Sequence, residues 1–92
     1  MGTKRTRNVI GPRVRHIRNE QGWTQERLAA KLQGAGWDIS RVSLAFIEAQ
    51  TRAVEDWELC VLAQVLKVPV SDLLPSAEKV RKLVPLVQLQ RS

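Results

Sequence analysis

The chain is poor in the residues that build catalytic and metal sites. Of its 92 residues, one is a cysteine, Cys60, and one a histidine, His16. A single thiol forms no intrachain disulfide and assembles no thiolate metal site. A single imidazole argues against metal binding and against histidine-based acid–base chemistry. No nucleophile–base set and no convergent carboxylate pair stands out, so the sequence predicts no enzyme, no cofactor and no metal. No apolar run approaches the ~18 residues needed to cross a bilayer. The segment from Met1 to Asn8 is polar and basic with no apolar stretch behind it, unlike a secretory signal. A cytoplasmic protein without membrane association is the expectation.

What the chain does have is positive charge, unevenly placed. The net charge is +6. Residues 1–20 hold Lys4, Arg5, Arg7, Arg13, Arg15 and Arg18 against Glu20 alone. Residues 53–75 reverse the balance, with Glu55, Asp56, Glu58 and Asp72 against Lys67. The last stretch, 76–92, is basic again. Such asymmetry suits a polyanion partner. It also suits a solvated arm that aids solubility, and composition leaves both readings open.

Helical periodicity dominates. Ile10, Val14 and Ile17 follow at i, i+4, i+7, with Pro12 in the first turn and Gly22 beyond the end. This predicts a first helix over about Pro12 to Gln21. Thr24 caps a second, whose stripe is Leu28, Ala29 and Leu32 and which stops near Gln33; Trp23 is placed to staple its start. A turn over Gly34 to Asp38 follows. Ser40 caps a third helix ending near Ala49, with Leu44 and Ile47 inward. Asp56 is read as the cap of a fourth, with Leu59, Leu62, Ala63 and Leu66, ended by Pro69. Ser71 to Leu74 form a short fifth helix closed by Pro75. The expectation is an all-α, compact five-helix domain over 10–75, a flexible basic N-terminal arm over 1–9 and a C-terminal extension over 76–92. In that extension Val80, Leu83 and Val84 line a short helix that Pro85 interrupts, and Leu86, Val87 and Leu89 follow. So much apolar surface either packs back on the domain or makes a subunit contact. Cys60 is read as packed in the fourth helix, Trp57 just inside that helix as core, Trp37 as packed against the domain to fix the turn over Gly34 to Asp38, and His16 as a surface residue.

The second and third helices form a capped, tight pair beside a basic flank. A helical hairpin alone is common in bundles, but more of the sequence agrees. The stretches "RVRHIRNEQGW" at 13–23, "TQERLAAKL" at 24–32, "ISRVSLAFIE" at 39–48 and "VLKVPVSDLL" at 65–74 follow in order. Together they resemble the phage-repressor/Cro-like helix-turn-helix family, also called the XRE family, over about residues 10–75. The Thr24-Gln25 start, the Leu28-Ala29 pair, the Ser40 cap, the Ile47-Glu48 end and Val68, Val70, Leu73 and Leu74 carry the match. The turn at Gly34 to Asp38 departs from the family by being several residues longer.

The resemblance implies a lambda-repressor-like fold whose third helix, about 40–49, lies in the DNA major groove. It places Thr24 and Gln25 against phosphate, where the N–H groups of a helix start suit an anion. It places Ser40, Arg41, Val42, Ser43, Ala45 and Phe46 on the outward face of the reading helix. It pairs Arg18 with Glu48 as a structural ion pair. Arg41 matches guanine O6 and N7, while Val42 and Ala45 suit a thymine C5-methyl. Phe46 has two readings: a contact to a methyl or sugar edge, or burial against the arm or a partner subunit. Arg52 is read as a phosphate contact, and Lys4, Arg5 and Arg7 as an arm that tracks the backbone or enters a minor groove. The implied function is a sequence-specific transcriptional regulator, a repressor of bacterial or phage origin, acting on double-stranded DNA as a homodimer. The competing reading is a protein-interaction module or antitoxin that keeps the fold and acts on a protein partner through the extension.

Overall fold

The computed structural model describes the backbone of residues 6–91 and the side chains of residues 6–84. Within these the secondary structure is helical throughout. Four helices form the body: α1 (Gly11–Glu20), α2 (Gln25–Gly34), α3 (Arg41–Glu48) and α4 (Asp56–Leu66). A single 3-10 turn, Val70–Leu73, closes the body, and α5 (Ala77–Arg91) follows. The all-α architecture expected from periodicity is the one observed.

The body is organised around α3. It packs against α1 and α2, while α4 packs against α1, α2 and the 3-10 turn. Val14 of α1, Leu28 and Leu32 of α2, Leu44 and Ile47 of α3, and Leu62 and Leu66 of α4 are all fully buried, with Leu73 below them. Each such side chain contributes about 1.5–3 kcal/mol by leaving water. An eight-residue helix such as α3 is too short to persist alone, so its position is set by this packing.

Helix endings repeat one solution. After α1 the amide of Gly22 donates to Asn19 and that of Trp23 to Arg18. After α2 the amide of Gly36 donates to Gln33 and that of Trp37 to Leu32. These are paired 5→2 and 6→1 closures, which need a left-handed residue in the middle. Glycine supplies it both times, at φ 75° and 102°. The tryptophan that follows each glycine packs into or against the core. Trp37 is buried, which accounts for the longer turn between α2 and α3. Trp23 packs on the core, with the Lys31 ammonium 4.5 Å from its ring centre.

Several local expectations are corrected. The cap of α4 is Glu55, not Asp56. Glu55 has the extended cap backbone, which puts Glu58 three residues on, where its carboxylate accepts the Glu55 amide at 2.9 Å. Cys60 is exposed, because it lies just beyond the stripe of Leu62, Ala63 and Leu66. Trp57 is half-exposed in the first turn of α4. It meets Trp37 edge-on at 5.4 Å between ring centres, and its indole N–H donates to Glu55. The short fifth helix is the 3-10 turn, and its tighter winding fits four residues between Pro69 and Pro75. The extension is one helix that runs through Pro85 rather than stopping there. A proline inside a helix removes one backbone bond, here the one to Arg81, without having to end the helix. The side chains of Leu86, Val87 and Leu89 lie outside the described residues.

The segment expected to be a flexible arm is tied down at its end. Asn8 accepts the amides of Ile10 and Gly11 and so caps α1, while its own amide group donates to the carbonyls of Ile47 and Arg52. The Arg7 amide donates to the Gln50 carbonyl at 2.8 Å. The start of α1 thus sits on the end of α3. A Cβ on Gly11 would run into the backbone carbonyls of Ile47 and Glu48, so glycine is what lets the two helices approach. Lys4 and Arg5 lie outside the described residues.

Candidate nucleic-acid interface

The inward side of α3 carries a buried polar cluster. The Arg18 guanidinium meets the Glu48 carboxylate with both prongs, Nε to Oε2 at 2.7 Å and Nη2 to Oε1 at 3.0 Å. Its third nitrogen donates to the Trp23 carbonyl at 2.6 Å. Gln25, the first residue of α2, donates to the same Glu48 carboxylate at 3.1 Å. Both side chains of the pair are nearly removed from water. Burying two charges repays its desolvation only when the geometry is good and the remaining donors are met, as they are here. The cluster links α1, α2 and the last residue of α3, and so fixes the angle at which α3 leaves the body.

The outward side of α3 is different. Arg41 and Val42 are exposed, Ser43 and Ala45 are half-buried, and Phe46 is exposed. Val42 and Phe46 retain 49% and 52% of their possible exposure, too much for an apolar pair with an intramolecular purpose. Positions 41 and 45 form one row of the helix and 42 and 46 the next, so the four lie on one face. Among the described residues the Arg41 side chain takes part in no hydrogen bond or ion pair, so its guanidinium is available to a partner. For Phe46 the reading of burial against the arm is not what the described residues show.

The starts of both helices are capped and accessible. Thr24 Oγ1 accepts the Arg27 amide at 3.0 Å, and Ser40 Oγ accepts the Ser43 amide at 3.1 Å. Thr24 keeps its hydroxyl proton to donate outward. Gln25 turns its amide nitrogen inward to Glu48 and leaves its oxygen unspent in that contact.

Arg52 is engaged within the protein. Its two terminal nitrogens meet the two oxygens of Glu58 at 3.1 and 3.0 Å, and one also reaches the Ala53 carbonyl. The Glu58 side chain is buried, and burial alone would push its carboxyl up. The Arg52 hydrogen bonds, the Glu55 amide and the Arg52 charge outweigh that and leave it lowered. The same contact, against its own burial cost, raises Arg52. A phosphate contact by Arg52 would have to share a guanidinium already bound at both ends, and the sequence held no hint of this beyond the spacing Arg52 to Glu58. Sequence reasoning also missed Asn8 and Gln50, whose side chains join α1 to the end of α3. The only signal was an asparagine three residues before Gly11, at cap distance from the helix start.

Among the described residues no group of three or more metal-ligating side chains converges. Among the same residues no helix is long and apolar enough to cross a membrane.

Comparison with known proteins follows the same line. A family profile described as helix-turn-helix matches residues 14–73. Among solved structures, the DNA-binding domain of BldD is 31% identical with a TM-score of 0.65, covering 80% of this chain and all of that one. The restriction-modification controller protein from Aeromonas hydrophila is 26% identical with a TM-score of 0.61, over 70% of this chain and 89% of that one. A hypothetical transcription factor from Neisseria has the same fold, at 24% identity and a TM-score of 0.67, over 86% of this chain and 85% of that one. No curated protein matches the sequence. Fold and site define a DNA-binding transcription regulator of the helix-turn-helix class. The chain belongs to the helix-turn-helix family, in its XRE branch.

Proposed function

We propose that the protein is a sequence-specific repressor that reads the major groove with α3. The observation that carries the reading is the contrast across that helix. Its inner side is locked by Arg18, Gln25 and Glu48, and its outer side holds Arg41, Val42 and Phe46 out to solvent. Arg41 takes a guanine through O6 and N7, Val42, Ala45 and Phe46 contact neighbouring base edges, and Ser40 and Ser43 border the phosphates. Thr24 and Gln25 position the domain on the backbone through the start of α2. Arg52 joins the backbone contacts only by sharing its hold on Glu58.

The reading includes a homodimer on a two-fold symmetric site, with half-sites about one helical turn apart. Val80 and Val84 support it, because they lie exposed on one face of α5 with 43% and 47% of their surface in water. The same face favours the second reading, a module that acts on a protein partner through its extension.

Selection of duplexes from a random pool by the purified protein at near-physiological salt separates these. An enriched palindrome supports the dimeric regulator. No enrichment and no salt-sensitive binding would shift the function to α5 and a protein partner. On the enriched site, Arg41→Ala is expected to lose roughly 1–3 kcal/mol and to relax the sequence at one guanine. An equal loss on every sequence would make Arg41 a phosphate contact instead.

A further inference from the structure

We infer that α3 reads a pyrimidine C5-methyl group beside a guanine, and that 5-methylcytosine serves as well as thymine at that position, so that a site with cytosine there is bound in full only when that cytosine is methylated. This deepens the proposed DNA reading and rests on it. The argument starts from what the outward face can and cannot offer. Val42, Ala45 and Phe46 have no hydrogen-bonding group in their side chains, so they cannot distinguish bases by donors and acceptors. The apolar feature that a base pair presents in the major groove is a C5-methyl. Val42 and Phe46 stand one turn apart on a single row of α3, about 5–6 Å between their Cβ atoms, and both are half in water. A pair spaced and exposed in this way forms a continuous apolar strip against which a methyl can lie.

Arg41 stands on the adjacent row, at the start of α3, and among the described residues nothing competes for its guanidinium. A guanine bound by Arg41 and a pyrimidine on its 5′ side lie in successive base pairs, about 3.4 Å apart along one strand. A methyl on that pyrimidine then faces the apolar row while the guanine faces the arginine. Thymine and 5-methylcytosine carry the same methyl at the same carbon. They differ at position 4, where thymine accepts and cytosine donates. Val42, Ala45 and Phe46 have no group that senses this difference. The face therefore ranks thymine and 5-methylcytosine together, above cytosine and uracil.

Three random duplex pools test this with the full chain. One is copied with the four ordinary nucleotides, one with deoxyuridine in place of thymidine, and one with 5-methyldeoxycytidine in place of deoxycytidine. The expected result is a motif from the ordinary pool with thymine 5′ to a guanine. In the uridine pool that column should lose its preference, with affinity down about fourfold for each methyl read. In the methylcytosine pool thymine and cytosine should share the column. Phe46→Ala and Val42→Ala should abolish the difference between pools and leave the guanine column intact. A thymine column that survives in the uridine pool, or that excludes 5-methylcytosine, overturns the inference and leaves the DNA reading standing. Absence of enrichment in all three pools overturns the DNA reading itself, and the inference with it.

Discussion

Toward the body, α3 presents Leu44, Ile47 and Glu48, all buried, and its last residue receives three hydrogen bonds from two other helices. Toward solvent, the same eight residues present Arg41, Val42 and Phe46, which the described part of the protein leaves uncovered. The first side is a constraint on angle and the second is a surface to be filled from outside. A helix built this way can exchange its outer residues, and hence its target, without renegotiating the fold. Mutations on the two sides should therefore separate cleanly into stability and recognition.

Glu48→Ala is the strongest way to break the separation. It strands the Arg18 guanidinium in a buried site and removes the acceptor for Gln25, at a cost of roughly 3–5 kcal/mol. Val42→Ala, on the other side, should stay within about 0.5 kcal/mol of the parent in urea denaturation. Comparable losses for the two variants would show that the outer face is also holding the fold. A smaller effect is expected at Arg52. Arg52→Ala leaves the buried Glu58 carboxylate without its main partner and should cost about 1–3 kcal/mol near neutral pH. Because the folded-state carboxyl of Glu58 is lowered, its contribution is present above the ordinary glutamate range and is lost as pH falls through the folded value. The gap between parent and Arg52→Ala should therefore close on acidification. A gap that holds constant down to acid pH would mean that Glu58 is not what Arg52 stabilises.

The inner side of α3 was the more legible in the sequence. Leu44 and Ile47 fall on a helical period, Ser40 is a cap by type, and α1, α2 and α4 followed from stripes of the same kind. The Arg18–Glu48 contact spans 30 residues, and only the family resemblance brought those two together. What stayed hidden depends on details that periodicity does not encode. Trp57 and Cys60 were placed in the core because apolar residues usually go there, yet each sits off the stripe set by Leu62 and Leu66. Asp56 and Glu55 are both acidic, and which one caps α4 is decided by one backbone angle. Asn8 works through carbonyls that only the folded α3 brings within reach. The pairing of Arg52 with Glu58 stayed hidden because Glu58 lies across a turn whose path the sequence does not reveal.

The smallest expected effect tests how far the clamp on α3 extends. All four body helices end in the same paired closure, but only α1 and α2 use glycine. After α3 the left-handed residue is Gln50 at φ 65°, and after α4 it is Lys67 at φ 59°. A non-glycine residue there carries a steric cost of about 1–2 kcal/mol, partly offset by glycine's larger entropy when unfolded. Lys67 is exposed and among the described residues its side chain makes no hydrogen bond, so Lys67→Gly should gain roughly 0.5–1 kcal/mol. Gln50 sits in the same strained conformation, but its amide donates to the Asn8 carbonyl at 3.1 Å, bracing the junction of α1 with the end of α3. Gln50→Gly gives up that bond, worth about 0.5–1.5 kcal/mol, as it relieves the backbone, and the two changes should nearly cancel. The comparison is read as a shift in urea midpoint at unchanged slope. A gain at Gln50 equal to that at Lys67 would show that the Gln50–Asn8 contact adds nothing to the hold on α3, leaving its angle to Arg18, Glu48 and the close packing at Gly11.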